Sequence, residues 1–392
     1  MNAGRKMGAK TRVLHFIESG GIYGAESVII NLSHEMAAAG RYEPIIGCIV
    51  QREDEQVDLV QAASSRGLEA HRIKISNGLV VFDLPRAARR IRELRVDLIH
   101  CHGYKPAVFA FVIGLLARIR VIATCHLWFI DTTAPFRMRV LIALERLLYR
   151  RFPAVIAVSE NIRNILLSAG VKPERVRLIC NGIAIADYQS SAPRPTGGSL
   201  GIQRIEERDV CVLNVGRLTE QKAQRDLIAA AGLARSAMGN LKILIVGEGE
   251  LHVALARQIA AANLDEGVIL LGFRSDIAML LRRADIFALP SLDEGMPVSL
   301  LEAVAARVPV IVTSVGDVPK LITDGETGVI VSRHDPAGLA AAILALAGDP
   351  ARRSALAERA WQSLKTSYSS THMYDSYSQV YEDVLSGAVM AR

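Results

Sequence analysis

Several features that define common protein classes are missing from this sequence of 392 residues. Aromatic residues make up only 5% and are not interleaved with the basic residues, so a nucleic-acid interface is not favoured. The five cysteines contain no CxxC pair, which argues against a zinc site and a disulfide framework. The longest apolar run, Ala107–Ala117, is too short to span a bilayer. Since no signal peptide is visible either, the sequence predicts a cytoplasmic protein.

Three ligand-binding motifs are missing as well. Gly247-Glu248-Gly249 follows an apolar run but lacks the third glycine of the dinucleotide-binding motif. No GxxxxGK[ST] loop is present, which argues against a P-loop NTPase. No Asp-x-Asp pair is available to hold a metal–diphosphate complex. We therefore expect no metal site and no cofactor.

The charge is divided unevenly along a chain of otherwise ordinary globular composition, with 51% hydrophobic and 22% charged residues. Residues 1–185 contain 26 Lys and Arg against 16 Asp and Glu, whereas residues 186–392 contain 20 against 24. An acidic partner or an anionic surface is therefore expected to meet the first half of the chain.

Short β-branched runs alternate with longer Ala/Leu-rich stretches, which predicts α/β domains with doubly wound parallel sheets. In the first such stretch, Val28, Ile29, Leu32 and Met36 share one helical face, and Gly40 follows its end. The first series of predicted strands is 12–17, 44–50, 70–75, 97–101, 119–124, 154–158 and 176–180. The second series is 210–215, 241–246, 267–271, 285–289, 309–313 and 328–332.

A Pro/Gly/Ser-rich segment separates the two series and is typical of a linker. The predicted organisation is a first domain at 1–185, a linker at 186–208 and a second domain at 209–367. The Tyr-rich tail at 368–392 could pack back onto the first domain. Ligands of such sheets bind beyond the carboxyl ends of the strands, so two facing domains would define a cleft.

The strongest candidate site follows the predicted strand 285–289. Glu294 lies in a turn, Pro297 stands where a helix would begin, and Glu302 falls in the second helical turn. The free N–H groups at that helix start suit a phosphate. Each carboxylate could accept hydrogen bonds from hydroxyl groups at one end of a shared ligand. The alternative is a capped helix with two solvated glutamates.

A second candidate site follows the first strand of the second domain. Arg217 and Lys222 could converge on a diphosphate, the guanidinium through paired hydrogen bonds and the ammonium as a point charge. Either cation alone is more typical of an ordinary surface charge. Their position at the carboxyl end of a strand, in the same domain as Glu294, favours a shared anionic ligand.

Two weaker features lie in the first domain. Gly20 and Gly21 form part of a turn that could bring the backbone close to a phosphate or sugar, although a tight βα turn explains them equally well. His100, His102 and His126 follow apolar runs at the ends of neighbouring strands. Each could be an ordinary histidine at a sheet edge, but their shared position suggests that one lines the cleft.

Together these residues resemble the retaining glycosyltransferases of family 4, which have the GT-B fold of two Rossmann-like domains facing a central cleft. The resemblance extends from about Arg12 to Arg359. It rests on the Gly20-Gly21 loop, Asp97–His102, Thr124-Cys125-His126, Val158-Ser159, Asn181-Gly182, Arg217 with Lys222, Val246–Gly249, Glu294 with Glu302 as the family's Glu-x7-Glu, and Asp324–Gly328.

The resemblance implies that the second domain binds a nucleoside-diphosphate sugar, with a UDP-sugar favoured. Arg217 and Lys222 would hold the diphosphate, and Glu302 the ribose. Glu294 would hold the transferred hexose together with backbone groups of Gly295, Met296, Pro297 and Val298. The base would lie near Gly272, Phe273 and Arg274. Gly20 and Gly21 would approach the diphosphate from the first domain, and His126 would contact the sugar from the acceptor side.

The chemistry implied by the resemblance is front-face transfer with retained anomeric configuration, in which Glu294, Arg217, Lys222 and His126 form the catalytic group. The leaving phosphate takes the acceptor proton, so no protein nucleophile is needed. The chain departs from the family pattern at three positions. Ala223 and Arg307 stand where glycine is usual, and Lys320 stands where glutamate is frequent.

Two basic clusters in the first domain favour contact with an anionic membrane. One contains Arg86, Arg89, Arg90, Arg92 and Arg95, and the other is a Leu/Arg-rich helix at 136–152. The helix could instead pack its leucines on the sheet with its arginines in water. The hypothesis is a protein at the inner face of the cytoplasmic membrane, with a glycan or lipid-linked acceptor in cell-surface polysaccharide or glycolipid synthesis.

Two other functions fit the same fold. A GT-B sugar-nucleotide epimerase would act without an acceptor and should carry carboxylates and histidines arranged for proton abstraction. A non-catalytic subunit of glycan assembly would be expected to lack Arg217, Lys222 or Glu302, and the sequence retains all three.

Overall fold

The computed structural model describes residues 10–22, 24–126 and 136–387, with the backbone alone at 136–138 and 141. The chain divides into unit 1, formed by Met1–Gly182 and Ser370–Arg392, and unit 2, formed by Ile183–Ser369. Each unit has its own parallel sheet with helices packed against it. The α/β fold class predicted from the alternation of segments is therefore confirmed.

The sheet of unit 1 has seven parallel strands. They are β1 (Thr11–Ile17), β2 (Tyr42–Val50), β3 (Glu69–Lys74), β4 (Leu98–His102), β5 (Arg120–Cys125), β6 (Val155–Ala157) and β7 (Val176–Leu178). Their order across the sheet is β3-β2-β1-β4-β5-β6-β7. The helices of the unit are α1 (Gly24–Ala39), α2 (Asp58–Ser65), α3 (Val80–Glu93), α4 (Tyr104–Ala117), α5 (Phe136–Tyr149), α6 (Glu160–Ser168) and α14 (Ser370–Ser386).

The sheet of unit 2 has six parallel strands. They are β8 (Val210–Val215), β9 (Leu241–Val246), β10 (Val268–Leu270), β11 (Ile286–Leu289), β12 (Val310–Thr313) and β13 (Val329–Val331), in the order β10-β9-β8-β11-β12-β13. The helices are α7 (Gln224–Ala237), α8 (His252–Ala261), α9 (Ile277–Arg283), α10 (Val298–Ala305), α11 (Val318–Leu321), α12 (Pro336–Ala347) and α13 (Pro350–Ser367).

Strand alternation places two kinds of side chain on opposite faces of the first sheet. On β4, Ile99 and Cys101 belong to the apolar core under α3 and α4, so His100 and His102 point to the other face. The face of α1 predicted from its apolar spacing is confirmed, because Val28, Ile29, Leu32 and Met36 are all buried. The two histidines therefore lie in the interior of unit 1 rather than at its surface.

Helix α14 belongs to unit 1 although the whole of unit 2 precedes it in the chain. Its tyrosines Tyr377 and Tyr381 are buried, and Tyr381 OH lies 2.9 Å from His100 Nδ1. Ser370 Oγ donates a hydrogen bond to Glu35 Oε1 on α1. The helix thus supplies polar partners to the face of the sheet that carries the histidines.

The segment 186–208, for which the sequence suggests a linker, lies within unit 2. The Arg194 guanidinium pairs with Asp285 at 2.6 Å and also donates to the carbonyl of Arg283. Arg282 donates to the carbonyls of Ala192 and Pro193. These arginine bonds attach the segment to the region just before β11. Among the described helices, none has the combination of length and apolar character that crossing a bilayer requires.

Replacement of Tyr381 by Phe is expected to destabilise unit 1 by about 1–3 kcal/mol, because it leaves a buried nitrogen of His100 without its partner. Hydrogen exchange of β4 and β5, followed by mass spectrometry, measures the loss within unit 1 alone. Tyr374→Phe is the matched control on the same helix, since its hydroxyl makes no hydrogen bond among the described residues. Equal exchange rates in the two variants would contradict the prediction.

Candidate active site

The candidate site of unit 2 lies where the strand order of its sheet reverses. Strands β8 and β11 are neighbours, whereas β9 lies on the outer side of β8 and β12 on the outer side of β11. The loops that follow β8 and β11 therefore lead away from each other and leave a crevice at the carboxyl edge of the sheet. Arg217 and Lys222 lie in the first loop, and Glu294 lies in the second.

The turn that carries Glu294 is fixed by the loop after β12. Asp317 N donates to Gly295 O at 2.9 Å, and Thr313 Oγ1 donates to Ser291 O. Gly316 has a φ of +52°, and a Cβ atom there would lie 1.9 Å from Glu294 O. Only glycine permits this approach, so the loop after β12 can pack directly against the backbone of the turn.

The loop that carries Arg217 is fixed in the same way by the loop after β9. A Cβ atom on Gly247 would lie 2.0 Å from Gly216 O, and one on Gly249 would lie 2.4 Å from Leu218 O. Leu218 N donates to Glu248 O at 2.9 Å. Gly247 and Gly249, which do not complete a dinucleotide-binding motif, therefore allow the backbones of the loops after β8 and β9 to come into contact.

The two loops are also bonded to each other. Leu292 N donates to Gln221 O at 2.8 Å, and Gln221 Nε2 donates to Asp293 O at 2.7 Å. Lys222 Nζ forms an ion pair with Glu294 Oε1. The side chain of Glu294 is only 7% exposed and that of Lys222 15%. The sequence assigned these two groups to different parts of one ligand, and the structure shows them bonded to each other.

Arg217 provides an exposed cation beside this ion pair. Its carbonyl accepts a hydrogen bond from Gln224 Nε2 at 2.9 Å, which attaches the backbone of Arg217 to the first residue of α7. Within the described residues, its guanidinium makes no hydrogen bond or ion pair. It is therefore available for an anion, in contrast to Lys222.

Glu302 on α10 has a partner that the sequence did not suggest. Tyr188 OH donates to Glu302 Oε1 at 2.8 Å. Burial raises the pKa of the Glu302 carboxyl to about 7, and the hydrogen bond from Tyr188 opposes that shift. Tyr188 belongs to the segment interpreted as a linker, which carried no periodic signal and so gave no reason to place a side chain near Glu302.

The residues expected near a base have diverse environments. Gly272 O accepts a hydrogen bond from Gly247 N at 2.8 Å, which attaches this loop to the one after β9. Phe273 is 46% exposed. The Arg274 guanidinium bonds Asp276 at 2.7 and 2.6 Å and also Leu200 O. Arg274 is therefore engaged within the protein, while Phe273 is accessible.

The start of α10 leaves backbone donors at the crevice. Pro297 precedes the helix, and its carbonyl accepts hydrogen bonds from the amides of Leu300 and Leu301. The first N–H groups of a helix have no partner inside it, and the dipole favours an anion there. Val298 N is the first of these groups, and the nearby Met296 is buried.

Ala223 and Arg307 both adopt a left-handed backbone, with φ of 50° and 55°. A glycine would adopt this conformation without strain, which accounts for the glycine usual at both positions in the family. The Arg307 guanidinium stacks on the Trp361 ring at 4.1 Å and lies 3.4 Å from Glu358. Lys320 pairs with Asp317 at 3.3 Å. None of these side-chain contacts involves Arg217, Lys222, Glu294 or Glu302.

The glycine turn of unit 1 follows β1. Ser19 Oγ donates to Gly21 O at 2.8 Å, and Glu18 forms an ion pair with Lys105. Gly20 has open space around a hypothetical Cβ atom, so packing does not require glycine at this position. Gly21 has a φ of 152°, which favours glycine.

The histidines of unit 1 form one cluster. His126 Nε2 lies 2.9 Å from His102 Nδ1, and His102 Nε2 lies 3.1 Å from His15 Nδ1. His15, which the sequence analysis did not single out, pairs with His100 in the register of β1 and β4. One nitrogen from each of His15, His100 and His102 lies within 4.8 Å of the others, a spacing that a metal ion could use. Both nitrogens of His100 are, however, engaged by the hydroxyls of Thr124 and Tyr381.

Two family models match the chain. The model described as Glycosyltransferase Family 4 matches residues 22–187. The model described as Glycosyl transferases group 1 matches residues 209–349. The first match includes His126, and the second includes Arg217, Lys222, Glu294 and Glu302.

Similar proteins span most of the chain. A glycogen synthase of Mycobacterium tuberculosis is 26% identical over 83% of this chain and 80% of its own length. A UDP-Gal:alpha-D-GlcNAc-diphosphoundecaprenol alpha-1,3-galactosyltransferase of Escherichia coli is 27% identical over 62% of this chain and 65% of its own. The crystal structure of Anabaena HepE with UDP and glucose aligns with a TM-score of 0.82 and 20% identity, covering 95% of this chain and all of HepE.

The raised pKa of Glu302 predicts a pH-dependent contribution to stability. A folded-state pKa of about 7 means that the folded protein binds a proton more tightly than the unfolded chain does. Stability from this group is therefore present below pH 4.5 and is lost as the pH rises towards 7. Between pH 5 and 8, Glu302 should cause the free energy of unfolding of the wild type to fall by about 1–3 kcal/mol. Glu302→Gln should lack this fall.

Urea titrations of both proteins across that range measure the difference. Glu207→Gln, at an exposed position of unit 2, is the control for loss of one carboxylate. Parallel pH profiles for the wild type and Glu302→Gln would contradict the raised pKa.

Proposed function

We propose that this chain, which belongs to the GT-B glycosyltransferases through its family 4 and group 1 domains, transfers a hexose from a nucleoside-diphosphate sugar to a glycan or lipid-linked acceptor with retention of configuration. The observation that carries the proposal is the ion pair of Lys222 and Glu294 between the loops after β8 and β11, with Arg217 in the first loop and Glu302 on the helix that follows the second. Two cations suit a diphosphate, and two carboxylates suit hydroxyl groups.

The ion pair of Lys222 with Glu294 links the two loops of the proposed donor site. Both charges are largely buried, and removal of one partner would leave the other uncompensated. A diphosphate offers Lys222 a new anionic partner. Glu294 is then free to accept hydrogen bonds from hydroxyls of the hexose attached to that diphosphate. The complete donor therefore satisfies both groups, whereas the nucleotide alone satisfies only Lys222.

In the proposed reaction, the bond from the anomeric carbon to the diphosphate oxygen breaks, and a bond to the acceptor oxygen forms on the same face. The acceptor proton moves to the departing phosphate oxygen. Negative charge grows on the nucleoside diphosphate, and Arg217, Lys222 and the N–H groups at the start of α10 stabilise it in a preorganised way. No step requires a metal ion, so transfer is expected to persist in EDTA.

Two comparisons support UDP as the nucleotide of the donor. The structure of HepE contains UDP and glucose, and the galactosyltransferase of E. coli is named for a UDP-galactose donor and a diphosphoundecaprenol acceptor. The exposed ring of Phe273 offers a stacking surface for a flat base. The acceptor we propose is accordingly a sugar on a lipid carrier.

The surface of unit 1 supports a membrane location for that acceptor. Leu79, Val81 and Phe82 at the start of α3 are exposed, Val81 by 80%. The arginines of α3 and its C-terminal turn are exposed on the same segment, namely Arg86, Arg89, Arg90, Arg92 and Arg95. On α5, Val140, Leu144 and Leu147 are exposed, whereas Ile142 and Leu148 pack on the core. We propose that these apolar and basic side chains contact the inner face of the cytoplasmic membrane.

Donor binding tests the proposed function directly. A UDP-sugar in excess should raise the melting temperature, and Arg217→Ala should abolish that shift because the diphosphate loses its exposed cation. Glu294→Gln should bind UDP alone more tightly than the wild type does, since Lys222 no longer has a carboxylate partner, yet it should lose transfer. Calorimetry with UDP and with the UDP-sugar separates the two effects.

Arg225→Ala, which removes a nearby exposed arginine of α7, is the control for loss of positive charge. Radiolabelled donor incubated without acceptor distinguishes an epimerase, which would still convert it. If UDP-sugars stabilise neither protein, or stabilise Arg217→Ala as much as the wild type, the proposed donor site is wrong.

Membrane contact is tested by cosedimentation with vesicles. Binding to vesicles with 30% anionic lipid is expected, should weaken with salt, and should fall about tenfold or more in Val81→Ser/Phe82→Ser because two exposed apolar anchors are lost. Val253→Ser, at an exposed apolar position on α8 of unit 2, is the control. Equal binding by both variants would exclude α3 as the contact surface.

A further inference from the structure

A chain of four side chains runs through the interior of unit 1, from α1 to the carboxyl end of β5. Met36 Sδ lies 3.4 Å from His15 Nε2, and His15 Nδ1 lies 3.1 Å from His102 Nε2. His102 Nδ1 lies 2.9 Å from His126 Nε2. Met36 and His15 are fully buried and His102 is 3% exposed, whereas His126 is partly exposed. We call this series the histidine chain.

All three imidazoles of the histidine chain are neutral at physiological pH. Burial lowers the pKa of His15 to about 3 and that of His126 to about 4. Burial, together with the neighbouring histidines, also holds the pKa of His102 well below its usual value. A neutral imidazole has one N–H and one unprotonated nitrogen, so it donates at one end and accepts at the other.

The thioether of Met36 gives the histidine chain a direction. Its sulfur can accept a hydrogen bond but cannot donate one, so His15 carries its proton on Nε2. His15 Nδ1 must then accept, and His102 donates to it from Nε2. His102 Nδ1 must in turn accept from His126 Nε2. The reverse direction would leave His15 Nε2 unprotonated against the sulfur, a buried acceptor without a donor.

We propose that Met36, acting through the histidine chain, fixes His126 as the Nε2-protonated tautomer, so that its Nδ1 accepts a hydrogen bond from a hydroxyl group of a sugar substrate. Within the described residues, Nδ1 of His126 has no partner. The role in substrate binding rests on the proposed function, whereas the tautomer does not. Met36 is thus a positioning residue that acts on His126 from the opposite end of the histidine chain.

The direction of the histidine chain has a consequence for specificity. A hydroxyl can donate to an unprotonated Nδ1, whereas a carboxylate or an ether oxygen at that position would face a lone pair. A neutral sugar with a free hydroxyl is therefore favoured over a uronic acid or an O-methylated sugar at this contact. An imidazolium or the opposite tautomer would reverse the preference.

Hydrogen bonds account for the buried histidines without a metal ion. His100 Nε2 lies 2.7 Å from Thr124 Oγ1, and its Nδ1 lies 2.9 Å from Tyr381 OH. Together with the contacts of His15 and His102, every nitrogen of these three rings has a partner. A metal ion would have to break several of these bonds, and the three nitrogens that could hold it include no anionic ligand.

The tautomers can be observed directly in the free protein. Two-bond 1H–15N correlation spectra of 15N-histidine-labelled protein, assigned with single His variants, should show His15, His102 and His126 all protonated at Nε2. Met36→Leu should shift His126 to a mixture of tautomers or to Nδ1–H. Met373→Leu, which removes another buried sulfur that accepts a hydrogen bond from Gly182 N, should leave all three unchanged.

A wild-type His126 protonated at Nδ1, or a Met36→Leu spectrum identical to that of the wild type, would overturn the proposal. Stoichiometric Zn²⁺ binding that shifts the His15 and His102 signals would also overturn it in favour of a metal site. These outcomes need no substrate, so they do not depend on whether donor binding occurs.

Transfer kinetics test the effect on substrate. Met36→Leu should lower kcat/KM about five- to tenfold, through loss of one hydrogen bond to substrate. In His126→Asn, the side-chain amide can present its oxygen whatever the direction of the histidine chain. Met36→Leu should therefore not lower kcat/KM any further in the His126→Asn variant. Additive losses in the double variant would mean that Met36 acts only on packing and would reject the positioning role.

Discussion

The ion pair of Lys222 with Glu294 joins the loops that follow β8 and β11 at the switch point of the second sheet, and Arg217 and Glu302 lie on the first of these loops and on the helix after the second. Backbone hydrogen bonds between Leu292 and Gln221 bring the loops close enough for the pair to form. Both side chains are mostly removed from water, so each depends on the other for neutralisation. A ligand that binds one side chain of the pair must therefore also offer a hydrogen-bonding or charged partner to the other. This requirement favours a molecule with an anion and several hydroxyls on one short framework, which is the chemistry of a nucleotide sugar.

The alternation of apolar runs predicted the strands well, and no strand end differs from its predicted position by more than two residues. The reason is physical, because strands covered on both faces must be apolar throughout and leave a clear signal. Contacts between loops leave no such signal. The sequence placed Lys222 and Glu294 at one ligand but could not indicate that they bond each other. It also gave no reason to expect Tyr188 beside Glu302, since a side chain in an irregular segment has no periodicity to reveal its direction.

Some positions of this site require glycine, whereas others have a different residue in a backbone conformation that glycine adopts more easily. Gly247, Gly249 and Gly316 are needed because another backbone occupies the place of a Cβ atom. Ala223 and Arg307 adopt the left-handed conformation that glycine would adopt more easily, yet no neighbouring atom forbids their side chains. At these two positions the chain tolerates backbone strain, and at Arg307 the stacking on Trp361 offsets part of it. The close loop-to-loop contacts, by contrast, admit no side chain at all.

Helix α14 completes the first unit from the other side of the sequence. The partners of His100 and Thr124, namely Tyr381 and Tyr377, are separated from them by the whole of the second unit. During synthesis, the second unit emerges with all of its strands before these tyrosines exist. His100 and Thr124 of the amino-terminal sheet therefore gain these hydroxyl partners only after residues 370–386 leave the ribosome. The unit whose strands are translated first consequently has its interior completed by the last helix to be translated.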